Sequence, residues 1–266
     1  MSPKKPKRIS GTLEWAAHNE NVLTGCIHDC RYCYAKSNAV YRFKTIPEEE
    51  WANVKVNEKK MKMRIGKKKG TIMFPTAHDI VPEYIDECVE FLRKLLTPGN
   101  NVLVVSKPHI ECIAKICDEL DEFKDQVLFR FTIGAMDNGI LNYWEPGAPD
   151  FEERMESLVY AHSRGWKTSV SCEPMLDSPN MVEQFKVMEP YVTDSIWIGK
   201  LNHVDKRVKV ETEEDQEMVD MIVAGQTDER IHEIYEALKD EPKVKWKESF
   251  KEVLGLETPP EPGMDI

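Results

Sequence analysis

The sequence predicts an α/β protein folded as a partial (β/α)6 barrel with a short helical C-terminal appendage. Short β-branched runs alternate with helical apolar spacings between residues 71 and 198, which means βαβ units and a parallel sheet. About six such units can be counted, short of the eight of a closed barrel. No G-x-G-x-x-G follows the first strand, which argues against a doubly wound dinucleotide fold.

Residues 1–20 read as an irregular N-terminal segment, 21–204 as the barrel and 205–266 as an appendage packing on it. Asn21–Thr24 is a β-prone run ended by Gly25 and reads as the first strand. Ala35–Phe43 is helical, and Pro47–Gly70 is a Lys-rich excursion. Thr71–Phe74 is the second strand, stopped by Pro75. Ile85, Cys88, Leu92 and Leu95 share one helix face, with Pro82 in the first turn. Asn101–Ser106 is the third strand, and Ile110, Ile113, Cys117 and Leu120 mark the next helix. Val127–Ile133 is the fourth strand. Phe151, Met155, Leu158, Val159 and His162 mark a helix, with Gly165 as its stop. Lys167–Ser171 and Ser195–Ile198 are the last two strands, with a helix at Met181–Met188 between them. Beyond Asp205 the pattern changes. Glu213–Glu217 is acidic, Thr227 can cap a helix over Asp228–Leu238, and Val244–Leu254 is a further short segment.

The 266 residues carry a net charge of −11, which argues against non-specific nucleic-acid binding over the whole surface. Positive charge is local: Lys4, Lys5, Lys7 and Arg8 open the chain, and a second run spans Lys59–Lys69. Met1–Ser10 has no apolar stretch behind it, so it is no secretory signal, and the apolar runs are too short to cross a bilayer. The expected location is cytoplasmic. Seven cysteines and no signal argue against a disulfide framework.

Three of those cysteines crowd together in Cys26-Ile27-His28-Asp29-Cys30-Arg31-Tyr32-Cys33. Thiolates suit an iron–sulfur cluster or zinc. Three thiolates on a [4Fe–4S] cluster leave one iron open, and the amino and carboxylate groups of S-adenosylmethionine (SAM) can chelate it. The alternative is structural zinc with His28 or a remote Cys as fourth ligand. Structural zinc usually draws on two separated ligand pairs, and no second C-x-x-C or H-x3-H exists here.

The C-x3-C-x2-C motif after a first strand resembles the radical SAM superfamily. The phrase GCIHDCRYCYA, preceded by LEWAAHNENVLT, is similar to its spore photoproduct lyase-like group, which includes proteins labelled DNA repair photolyase and phage-encoded relatives. The resemblance implies the partial barrel, a [4Fe–4S] cluster on Cys26, Cys30 and Cys33, and SAM as partner. It also implies an external one-electron reductant of flavodoxin or ferredoxin type.

Ligands in such barrels sit at the C-terminal strand ends. After the second strand many radical SAM proteins carry a Gly-Gly-Glu-like motif that holds the SAM amino group; this sequence lacks those glycines, so backbone carbonyls near Phe74–Thr76 would have to serve. His78 and Asp79 are pocket or helix-cap candidates. Lys107 matches a family lysine that contacts the SAM carboxylate, and Thr132 matches a position whose hydroxyl meets ribose or carboxylate. Asp137 and Asn138 bind substrate or cap a loop. Glu173 is a candidate binding carboxylate or else a salt bridge closing the loop, and Gly199 would let the backbone approach adenine, with Asn202 and His203 as weaker candidates. Tyr32 matches an aromatic near the adenine, and Tyr34 either matches a tyrosine of radical transfer or packs under the cysteine loop.

The family's lyase uses a cysteine hydrogen donor after its second strand. Phe74–Asp79 contains none, and Cys172 at a strand end is the substitute candidate although its position differs. Two substrate readings follow: a nucleotide or nucleic acid met through Lys59–Lys69, or a small metabolite or peptide with that run as a lid. A reading of another class is a non-catalytic zinc or iron–sulfur module.

Overall fold

The computed structural model describes residues 9–265, so the basic run Lys4, Lys5, Lys7 and Arg8 lies outside the described residues. One parallel sheet carries the fold. Its strands follow chain order: β1 His18–Asn19, β2 Ile72–Phe74, β3 Val102–Ser106, β4 Val127–Thr132, β5 Lys167–Cys172, β6 Ile196–Ile198 and β7 Val244–Trp246. Helices Ile85–Leu96, Ile110–Glu119, Phe151–Ser163 and Met181–Met188 connect successive strands from β2 to β6. The barrel class expected from the alternation is present, with one strand more than six.

Two differences have physical causes. The first sheet strand is His18–Asn19, whereas Leu23–Thr24 pairs antiparallel with Lys55–Val56 in a separate ribbon. β1 is polar and two residues long, so side-chain pattern does not mark it. Backbone bonds flanking it define it: Ala17 and His18 donate to the Thr71 carbonyl, and Glu20 to that of Met73. The second difference is β7. It comes from the C-terminal segment and pairs in parallel with β6, Ile196 opposite Val244 and Ile198 opposite Trp246. The sheet therefore takes in residues on both sides of 21–204.

Helix Asn138–Trp144 was not signalled by any apolar spacing; the Asp137 carboxylate caps it by accepting from Gly139 and Ile140 N–H. Asp137 is thus a cap. The acidic stretch at 213 is the first turn of helix Glu213–Gly225, opened by a Thr212/Asp215 capping box. The expected helix after the cysteines begins at Tyr34–Lys36 and continues as a π-helical turn over Ser37–Arg42.

Strand alternation divides the sheet into two faces. Outward, Phe74, Val104, Phe129, Phe131, Val170, Cys172, Ile196 and Ile198 join the helix-covered core. Inward, Trp15, Met73, Leu103 and Trp197 form a separate apolar floor. Arg130 is fully buried there, its guanidinium 4.5 Å from the Trp15 ring centroid and 5.2 Å from that of Trp197. Above this floor, the inward residues at the strand ends are polar.

Candidate active site

A cavity of about 980 Å³ opens at the C-terminal ends of the strands. Cys26, Cys30 and Cys33 line it together with Tyr32, Tyr34, Thr76, Asp79, Lys107, Thr132, Ser171 and Glu173. The cysteine loop is fixed by backbone geometry. Gly25 opens it at φ +89°, where an added Cβ would lie 2.4 Å from the Trp51 carbonyl oxygen. Cys26 N–H donates to that carbonyl at 3.1 Å. From the far side, Gly147 N–H donates to the His28 carbonyl and Arg31 N–H to that of Trp144. Gly147 leaves no room for a side chain, because its Cβ would sit 2.5 Å from the Ile27 oxygen.

Asp79 is the hub beneath this loop. Its Oδ1 accepts from the Ser106 hydroxyl at 2.9 Å and Lys107 N–H at 2.8 Å, and its Oδ2 meets His28 Nδ1 at 2.9 Å. Burial works against its charge, but Lys107 and His28 hold the carboxyl well below its usual range. His28 is fully buried, with Nε2 2.9 Å from Nε2 of His109, whose Nδ1 is 3.4 Å from Glu153. His78 is structural: its Nε2 accepts from Val22 and Leu23 N–H, and burial lowers its pKa to about 4.

Lys107 stands between two carboxylates, 3.6 Å from the partly buried Asp79 and 4.0 Å from the fully buried Glu145. Desolvation opposes its charge, but Asp79, Cys30, Tyr32 and Glu145 raise its pKa well above the usual lysine value. Both ion pairs are long, so its ammonium keeps donors for a ligand in the cavity. Glu145 also receives the Tyr32 hydroxyl and pairs with Arg154 at 2.6 Å, with neither charged group exposed. Tyr32 is buried as a result. Tyr34 is more exposed, and its hydroxyl donates to the Thr76 carbonyl. The Thr76 hydroxyl accepts from Asn21, whose Oδ1 in turn accepts from Thr76 and Ala77 N–H. One lone pair of the expected carbonyl is therefore already engaged by Tyr34.

The register sets Thr132 opposite Ser171. Ser171 Oγ is buried without a hydrogen-bond partner, as expected of a hydroxyl facing a ligand site. Glu173 lies 3.3 Å from Lys247, the residue after β7. Lys247 is fully buried, 2.7 Å from Glu14 and 3.8 Å from Glu248.

Two expected site residues are elsewhere. Cys172 is fully buried on the outward face, 3.6 Å from Gln184 Nε2, and does not line the cavity. Its neighbour Ser171 faces in, and strand alternation turns Cys172 away. Gly199 also does not line the cavity; a Cβ there would meet Lys247 side-chain carbons at 2.8 Å and Glu173 Cγ at 3.1 Å. Its small size admits the Lys247 side chain. No residue from 59 to 69 lines the cavity. Lys60 and Lys68 pair with Glu20 at 2.6 and 2.7 Å, and Lys62 with Glu58 at 3.4 Å.

Sequence reasoning missed Asn21, Glu145, Arg154, Ser171 and Lys247. Ser171 was legible, because Ser169, Ser171 and Glu173 share one parity and Val170 and Cys172 the other. Lys247 was not, because nothing local marks its strand as part of the sheet.

The donor set and its setting fit an iron–sulfur cluster. Three buried or half-buried thiols share one cavity wall, and both ring nitrogens of His28 are engaged with Asp79 and His109. The ligand atoms of Cys26, His28 and Asp79 lie within 4.8 Å of one another. A single ion there would leave Cys30 and Cys33 unused.

The sequence model of the Radical SAM superfamily matches residues 21–185. The chain belongs to this superfamily. Its members use a [4Fe–4S] cluster and SAM. The radical SAM chain is 27% identical over 175 residues to the uncharacterized protein ORF301 of Acidianus two-tailed virus. The match takes in 62% of this chain and 57% of that protein. Its fold is similar to spore photoproduct lyase complexed with dinucleoside spore photoproduct, at TM-score 0.51 and 14% identity over 92% of this chain and 79% of the lyase. A mutant of that lyase with the same ligand aligns at TM-score 0.55 and 14% identity over 91% and 79%. Among the described residues, no helix is long and apolar enough to cross a membrane.

Proposed function

We propose that this protein is an enzyme that cleaves SAM reductively and passes the radical to a nucleotide or nucleic-acid substrate. The observation that carries the reading is one cavity shared by Cys26, Cys30, Cys33, Lys107, Thr132 and the unpartnered Ser171 hydroxyl. Cys26, Cys30 and Cys33 would hold the cluster, which would supply the electron for reductive cleavage of the S–C5′ bond of SAM. An external one-electron reductant of flavodoxin or ferredoxin type provides that electron.

The chain's own residues position the reactants. Lys107 takes the SAM carboxylate through its free donors, held in place by Asp79 and Glu145. Thr132 and Ser171 offer hydroxyls to the ribose. Glu173 offers a carboxylate on the same side as Lys247, for N–H groups of a base. Tyr34 lines the cavity next to Cys33 in the chain, where it can meet the substrate radical. The volume is at the upper end of the roughly 300–1,000 Å³ of ligand sites, room for more than one small molecule. A non-catalytic zinc module would have no need of such a cavity.

The structure of spore photoproduct lyase with a dinucleoside supports the nucleotide class through fold likeness only. The test is anaerobic reconstitution, reduction with dithionite and assay for 5′-deoxyadenosine. Bound zinc with neither iron–sulfur absorbance nor SAM cleavage would overturn the proposal.

A further inference from the structure

Charged side chains line the cavity: Arg42, Lys200, His203 and Arg207, together with Glu173, Glu248 and Glu252. The Glu173 carboxylate favours the charged form of Arg207. Among the described residues, most lysines and arginines meet a carboxylate or carbonyl; Arg31, for example, pairs with Asp215 at 3.2 Å. Among the described residues, the side chains of Arg42, Lys200 and Arg207 make no ion pair or hydrogen bond. Arg207 is half-buried, and its guanidinium lies 6.0 Å from the Tyr34 ring centroid. Burial weakens its hold on the proton, a cost that an anion beside it would relieve. Arg42 ends the π-helical turn that follows the cysteine loop, and Lys200 follows β6. Two distant parts of the chain, residue 42 and the stretch 200–207, thus bring cations without an ion pair or hydrogen bond to one cavity.

We infer that Arg42, Lys200 and Arg207 form the phosphate grip of the substrate site, in place of the Lys59–Lys69 run. This rests on the nucleotide reading above and names the residues that would hold its phosphate. Planar guanidinium groups match phosphate oxygens in pairs, and a half-buried, unpaired arginine gives a stronger contact than a solvated lysine. The phosphate then lies at the mouth beside Tyr34, and the nucleoside reaches inward towards the cluster wall. Either a free nucleotide or a nucleic-acid backbone supplies this chemistry.

The test uses the reconstituted holoenzyme with SAM and a fluorescein-labelled, mixed-sequence single-stranded oligodeoxynucleotide, read by anisotropy over a salt series. The double variant Arg42→Ala/Arg207→Ala is expected to bind about tenfold more weakly. Its log–log salt slope should fall by about 1.4, roughly 0.7 per lost contact. Lys59→Ala/Lys69→Ala should match wild type. Competition by deoxynucleoside 5′-monophosphates points the grip at a nucleotide; competition by unlabelled oligonucleotide alone points it at a polymer. Wild type that does not bind, an unchanged slope in the Arg42/Arg207 variant, or loss confined to the Lys59/Lys69 variant would overturn the inference. Assay of 5′-deoxyadenosine on the same samples separates the two ideas. Cleavage with silent rim variants fails the grip alone, and absent cleavage in wild type fails the enzyme reading.

Discussion

Asp79 Oδ2 lies 2.9 Å from His28 Nδ1, tying the strand end after β2 to the middle of the cysteine loop. The same carboxylate steadies Lys107, so the cysteine loop and the proposed SAM seat share one anchor. Asp79→Asn should lower stability by about 2 kcal/mol, the scale of a hydrogen bond to a charged group. Iron per chain should fall with it. Urea unfolding and iron analysis check this; full iron content and unchanged unfolding would refute the anchor.

Gly147 is the second support of the loop. Gly147→Ala places a Cβ 2.5 Å from the Ile27 oxygen, a backbone atom that must move. The expected cost is about 1–3 kcal/mol with reduced cluster loading. Gly66→Ala is the control for glycine itself: like Gly147 it has no left-handed φ, and a Cβ there meets no atom within 4 Å, so little change is expected.

The cysteines should separate cleanly. Ala at Cys26, Cys30 or Cys33 is expected to abolish iron binding and SAM cleavage. Cys172→Ser should leave SAM cleavage intact, since that thiol faces the outer core and Gln184. A Cys172 variant that keeps its iron yet loses product formation would restore it as hydrogen donor.

Lys107→Met should weaken SAM binding by about tenfold or more, the effect of losing one charge-assisted hydrogen bond. Equilibrium binding of SAM to the reconstituted protein reads this. An unchanged dissociation constant would move the carboxylate seat away from Lys107.

Glu14, Glu173 and Glu248 surround the single ammonium of Lys247, and burial pushes the Glu14 carboxyl up to about 8. A folded-state value above the unfolded 4.5 means that the native state binds the extra proton. This contribution to stability is full below about pH 4.5, declines as pH rises to about 8, and is constant beyond. Glu14→Gln, which mimics the neutral form, should flatten the fall in stability over that window. Equal slopes for both proteins in urea midpoints against pH would refute this assignment.

The cysteine motif, the parallel βα alternation and most strand ends were legible in the sequence, because thiol spacing and apolar periodicity are local properties. Helix Asp228–Leu238 and its Thr227 cap were legible for the same reason. The polar two-residue β1 was not, since backbone pairing with residues 71–73 defines it. β7 was not either, since a short strand beyond a run of helices gives no local sign of which edge it joins.

The sequence by itself determined that three thiols would stand at the head of a barrel and that Lys107 and Thr132 would follow at later strand ends. Only the tertiary structure decided which neighbours share their cavity. Strand parity turned Ser171 in and Cys172 out, and the small Gly199 made room for Lys247. Ion pairing with Glu20 engaged Lys60 and Lys68, while Arg42, Lys200 and Arg207 were left unpaired at the mouth. The reason is physical: spacing along the chain fixes local geometry, whereas facing direction and charge compensation depend on partners brought together by folding.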